Sequence, residues 1–159
     1  MPSVLLAVDP SFAADVDPAW VEQVVTAALA ALHSRPPPAA EVSVTVGNEA
    51  LLHDLNKRYR GVDRPTDVLA FPLQVPEDRE PFVALAAADR QLGDVVISYP
   101  RVQRQARTYG HTEQHELAYL LIHGVLHLVG YDHHRDEGFA AMREQEERIL
   151  GQLGLTDDR

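Results

Sequence analysis

Two histidines four residues apart, His123 and His127, lie in a stretch that is apolar nearly all round: Leu117, Ala118, Leu120, Leu121, Ile122, Val125, Leu126, Leu128 and Val129. Such a stretch predicts a buried helix. On a helix the four-residue offset is about 40° of rotation and roughly 6 Å of rise, so both imidazoles leave one face a turn apart. A buried polar group without a partner costs about 1–3 kcal/mol, so both rings must be satisfied. Gly130 follows where a left-handed glycine can end the helix and turn the chain back, bringing His133 within reach. Three neutral imidazoles occupy three corners of a tetrahedron, a geometry that suits zinc, and leave the fourth corner to water. That is the arrangement of a catalytic metal. His134 is a rival third ligand, but the offset favours His133. Asp132 is read either as orienting a ligand histidine or as stabilising the turn.

The spacing matches the long metalloprotease motif H-E-x-x-H-x-x-G-x-x-H at His123, His127, Gly130 and His133. The glutamate is missing, and Gly124 stands in its place. That glutamate is the general base of peptide hydrolysis, so the metal cage is predicted without the peptidase chemistry.

At 159 residues with no cysteine, the chain predicts one domain over residues 1–159 and neither a disulfide framework nor a thiolate site. Neither a signal segment nor a membrane-spanning run stands out, so the expected location is the cytoplasm. The formal net charge of −10 argues against indiscriminate nucleic-acid binding. The charge is uneven, however. Lys57, Arg58, Arg60 and Arg64 form one basic island, and Arg101, Arg104 and Arg107 form another. Each is either a solvated helix face or a local handle on a phosphate backbone.

Taken in order, Ser3 to Val8 predicts a strand, and Asp17-Pro18 starts a helix that runs to about His33. His33 and His53 receive no role. Arg35 to Ala40 is a stiff proline loop. Glu41 to Val46 alternates as a strand, Asn48 caps a helix ending at Gly61, and Val68 to Phe71 is the next strand. Gln74 to Gln91 reads as a mobile loop, and Gly93-Asp94 leads into a strand over Val95 to Ser98. Pro100 opens a basic helix closed by Gly110, and Thr112 caps the histidine helix, Glu113 to Val129. Asp136 caps a last helix to Leu150, whose inner face is Phe139, Met142, Ile149 and Leu153. The expected fold is α/β: a small four-stranded mixed sheet with about five helices. The sheet is mixed because no clear crossover helix joins its third and fourth strands. Arg60 falls at a helix C-terminus, where a cation complements the helix dipole; the alternative is a phosphate contact.

Three blocks carry a wider resemblance: His123-Gly124-x-Leu126-His127-Leu128-x-Gly130-Tyr131-Asp132-His133, then Leu55-Asn56-Lys57-x-Tyr59-Arg60 with Pro65-Thr66-Asp67-Val68-Leu69-Ala70-Phe71-Pro72, and Leu92-Gly93-Asp94-Val95-Val96-Ile97-Ser98. Together they resemble the YbeY family of bacterial rRNA maturation factors (the UPF0054 group). One departure is Ala70, where the family usually carries Ser. The resemblance implies a zinc-dependent, single-strand-specific endoribonuclease acting at the 3′ end of small-subunit ribosomal RNA and in ribosome quality control. Its implied cofactor is one zinc per chain on His123, His127 and His133. Its implied partners are single-stranded RNA, the small ribosomal subunit and assembly factors, with no membrane. Its functionally important arginine maps onto Arg60, which turns that residue's reading toward a phosphate clamp. Lys57 and Arg104 are assigned with it to RNA binding.

Attack on phosphorus by a zinc hydroxide and attack by the RNA's own 2′-hydroxyl both fit the sequence. Two rivals remain: another zinc hydrolase, such as an esterase or amidase, and a ribosome-assembly factor with a structural metal. The first has no need of the basic islands. The second would want a fourth protein ligand.

Overall fold

A computed structural model describes residues 3–32, 40–73, 91–131 and 136–156. The proline loop, the segment 74–90, and Asp132, His133 and His134 lie outside the described residues. Four strands, β1 (Ser3–Val8), β2 (Glu41–Gly47), β3 (Val68–Pro72) and β4 (Gln91–Ser98), form one sheet in the order β1-β2-β4-β3. β1–β2 and β2–β4 pair in parallel, and β3 runs antiparallel to β4 along an edge. The sheet is therefore mixed, as expected.

Among the described residues five α-helices surround it: α1 (Pro18–Leu32), α2 (Glu49–Arg60), α3 (Tyr99–Tyr109), α4 (Glu113–Leu128) and α5 (Asp136–Gln152). Their starts follow local capping chemistry. The carboxylate of Asp17 accepts from the Ala19 N–H at 3.0 Å, Asn48 Oδ1 from Leu51 at 2.9 Å, and the Thr112 hydroxyl from His115 at 3.0 Å. The last helix begins at Asp136 itself and continues to Gln152, two residues past the expected end. None of the helices among the described residues is long and apolar enough to cross a membrane.

The main core lies between α1, α4 and α5 and the sheet face carrying Val42, Val44, Val95 and Ile97. A smaller cluster under α2, made by Leu52, Leu69 and Val96, covers part of the other face. α4 is the central helix and packs on α1, α3, α5, β3 and β4.

Two expectations need correction. β4 begins at Gln91, so Gly93 and Asp94 lie inside the strand and do not lead into it. Gly93 is the reason the strand can start early: φ is 140°, and a Cβ there would lie 2.3 Å from the Phe71 carbonyl oxygen. Phe139 is 54% exposed, whereas Met142 and Ile149 are buried. Among the described side chains of α5 the buried stripe begins at Met142, a turn after Phe139, and its middle position is Glu146.

Candidate metal centre and its cleft

α4 presents His123 and His127 on one face, as their offset predicts. Their Nε2 atoms are 3.2 Å apart, with ring centroids at 4.8 Å. Two ligands each about 2.0–2.1 Å from one tetrahedral zinc stand roughly 3.3 Å apart, so the pair fits a shared ion. Val129 caps the helix and Gly130 follows with φ 101°, which turns the chain as the sequence suggests. Among the described residues no three His, Asp or Glu converge on one point; the expected third ligand, His133, lies outside them, as do Asp132 and its alternative His134.

The side of His123 away from His127 meets a residue that sequence reasoning missed. Glu146 of α5, 2% exposed, places Oε1 3.0 Å from His123 Nδ1. An ionised carboxylate only accepts, so Nδ1–H donates to it and the Nε2 lone pair is left facing His127. A metal-ligating histidine is held in this way. Glu146 Oε2 has no hydrogen-bond partner among the described residues. A buried carboxylate with one oxygen bare is costly beside a neutral imidazole and much less so beside a ring bound to a dication. The donor set thus fits a metal. The signal for Glu146 is in the sequence: a glutamate on the apolar stripe between Met142 and Ile149. Glu146→Gln is expected to fold and to bind zinc about 10–100-fold more weakly. Competition against a chromogenic chelator measures this, and unchanged affinity would show that the carboxylate does not support the site.

Gly124, the position of the absent glutamate, faces the sheet. A Cβ there would sit 2.6 Å from Val95 Cγ1 and 3.1 Å from Cγ2. Helix and strand approach so closely that position 124 has no room for a side chain, which is the structural reason for the missing base. Gly124→Ala is expected to lower stability by about 1–3 kcal/mol through overpacking. A urea melt reading the midpoint tests it; a midpoint equal to the parent's would mean that Val95 yields freely.

The histidines open onto a cleft of about 460 Å³ beside β3, the edge strand of the described sheet. Its far wall is Asn56 and Arg60 of α2 with Thr66 and Asp67 of the following turn, and its floor is Val68 to Ala70. The turn is tied down: Asn56 Nδ2 donates to the Arg64 carbonyl at 2.9 Å, and Asp67 Oδ1 accepts from the Val68 N–H at 2.8 Å. Arg60 Nη2 donates to the Ala70 carbonyl at 3.0 Å, and its guanidinium lies 6.0 Å from the Phe71 ring centroid. One donor fixes the side chain, while the planar fork keeps others for a ligand.

Lys57 and Arg104 do not line this cleft. Arg104 is paired with Glu49, alongside Arg101 at 3.6 Å from the same carboxylate oxygen. Lys57 faces Asp63, whose carboxyl is held below the usual carboxylate range by its hydrogen bond with His53 and by the Lys57 charge. His115 also lies away from the cleft, its ring 3.9 Å from that of His111.

Residues 11–154 match the family described as Endoribonuclease YbeY. A protein of that name from Roseiflexus castenholzii is 48% identical over 150 residues, covering 92% of this chain and 90% of its own. Another from Desulfitobacterium hafniense is 51% identical over 116 residues, 73% of each. The solution structure of TM1509 from Thermotoga maritima superposes with a TM-score of 0.56 at 27% identity, covering 97% of this chain and 92% of that one.

Proposed function

The chain belongs to the endoribonuclease YbeY family, and from that premise we propose that it is a zinc-dependent endoribonuclease that cuts single-stranded RNA. Its place is in maturation of the small-subunit ribosomal RNA 3′ end and in ribosome quality control, in the cytoplasm, with the small subunit and its assembly factors as partners. The observation that carries the chemical part is the cleft itself: a paired histidine face on one wall and an arginine fork on the other.

His123 and His127 would hold the ion, with His133 as the third ligand expected from sequence. When bound, zinc supplies a coordinated water whose pKa is lowered to about 7 and a Lewis acid for a phosphoryl oxygen. Glu146 keeps the His123 Nε2 lone pair directed into the cleft. Arg60 seats the phosphate and opposes the negative charge that grows on its oxygens as the bond to phosphorus forms. Its anchor on Ala70 means that little reorganisation is needed when the RNA arrives. Gly124 carries no side chain, so position 124 supplies no general base.

The test is metal content by elemental analysis, paired with cleavage of a single-stranded RNA with and without chelator. About one zinc per chain with chelator-sensitive cleavage is the expected result. One zinc with no cleavage would overturn the nuclease reading in favour of an assembly factor.

A further inference from the structure

The sheet face under α2 carries a second cleft, of about 370 Å³, that the reaction described above does not use. The strand register builds it. Ser43, Asp94 and Phe71 form one cross-strand row, and Thr45, Val96 and Leu69 form the next. α2 covers Leu69 and Val96 and stops short of the first row, leaving walls of Leu55, Tyr59, Phe71 and Val96 around two polar groups, Thr45 and Asp94. Tyr59 is 65% exposed and meets Phe71 edge to face, with centroids 5.6 Å apart. An aromatic corner open to water with an exposed carboxylate beside it is suited to a flat ring with N–H donors along one edge.

Arg60 joins this cleft to the metal cleft. Its side chain reaches the Ala70 carbonyl on one side and lies near the Phe71 ring on the other. Lys57 and Arg58 stand on the same end of α2. Lys57 acts on Asp63 and Arg58 pairs with Asp54 at 3.5 Å, so Arg60 is the cation that reaches the Phe71 wall of the cleft, and the Asp94 carboxylate lines the cleft at the surface. A nucleotide can then lay its base on the aromatic pair beside Asp94 and direct its phosphate toward Arg60, away from the carboxylate.

Resting on the nuclease reading, we propose that this second cleft is a nucleobase subsite that selects guanine. The base stacks on Tyr59 and Phe71, and the Asp94 carboxylate accepts from its N1–H and N2–H groups. A carboxylate offers only acceptors. Guanine alone presents two adjacent N–H donors on its Watson–Crick edge. Adenine and cytosine set one amino group beside a ring acceptor, and uracil flanks its single N–H with two carbonyls, so each would turn a lone pair toward Asp94.

Mononucleotides test the site without any bond to cleave. Zinc-loaded full-length protein is titrated with guanosine, adenosine, cytidine and uridine 5′-monophosphates while backbone amide shifts are followed. Guanosine monophosphate is expected to shift Thr45, Tyr59, Asp94 and Val96 and to bind about tenfold tighter than the others. Asp94→Asn should reduce that preference to within about twofold, and Tyr59→Ala should weaken all four nucleotides roughly tenfold. Both side chains are on the surface, so both variants should fold. Equal affinities in the parent, shifts confined to other residues, or a guanine preference that survives Asp94→Asn would each overturn the proposal. Cleavage of single-stranded RNA is measured beside the titration. RNA cut without regard to guanine overturns the subsite and leaves the nuclease reading. Guanosine monophosphate bound in this cleft by a protein that cuts no RNA overturns the nuclease reading and leaves the nucleobase site.

Discussion

His127→Ala is expected to lose bound zinc and RNA cleavage together while keeping its fold. The imidazole removed is one of two whose Nε2 atoms stand 3.2 Å apart, so a single substitution dismantles the shared position. Loss of a ligand should exceed the ~10–100-fold drop in affinity that follows loss of an outer partner, and cleavage should fall to the level of chelator-treated protein. The helix should survive, because its stability comes from Leu120, Leu121, Ile122, Val125 and Leu126, all at most 1% exposed, and His127 lies at the cleft. Elemental analysis and circular dichroism on the same sample decide the matter. Retained zinc with retained cleavage would remove His127 from the site.

Arg60→Glu is expected to give the opposite pattern: zinc retained, cleavage lost. Removing a preorganised donor to developing charge costs about 10²–10³ in rate, and reversing the sign adds repulsion of the phosphate. The anchor on Ala70 is lost in the same variant, so Arg60→Lys is the companion. Lysine keeps the charge and loses the fork, and should recover only part of the rate. Normal cleavage by Arg60→Glu would show that Arg60 does not clamp the phosphate.

Legibility in the sequence followed the range of the interaction. Asp17, Asn48 and Thr112 were readable as helix starts because a cap is satisfied two or three residues along the chain. The shared face of His123 and His127 was readable for the same reason. Two glycines concealed more. Gly93 was read as the lead-in to a strand, and its place inside that strand became clear only from the Phe71 carbonyl that β3 brings against β4. Gly124 was visible as a missing base, yet the Val95 side chain that requires it belongs to another element. Glu146 was the largest omission. It lies 23 residues from His123, on a helix whose apolar stripe suggested Phe139 as a core residue, and only the packing of α5 on α4 brings the two together. The basic islands divided: Arg60 reaches the cleft, while Arg104 is engaged with Glu49, and charge along the chain does not distinguish them.

The central position of α4 also bears on how the protein opens and closes. Parallel pairing joins β1 to β2 and β2 to β4 across long intervals of chain, so the sheet that α4 packs on is assembled late from distant pieces. A helix held by three other helices and two strands has no route to local melting. Amide protons along α4 should therefore exchange only through global unfolding, and His123 and His127 should stay paired in every partly opened form short of it. If the pair holds zinc as proposed, the ion finds both imidazoles already in place on a helix that the rest of the fold keeps closed.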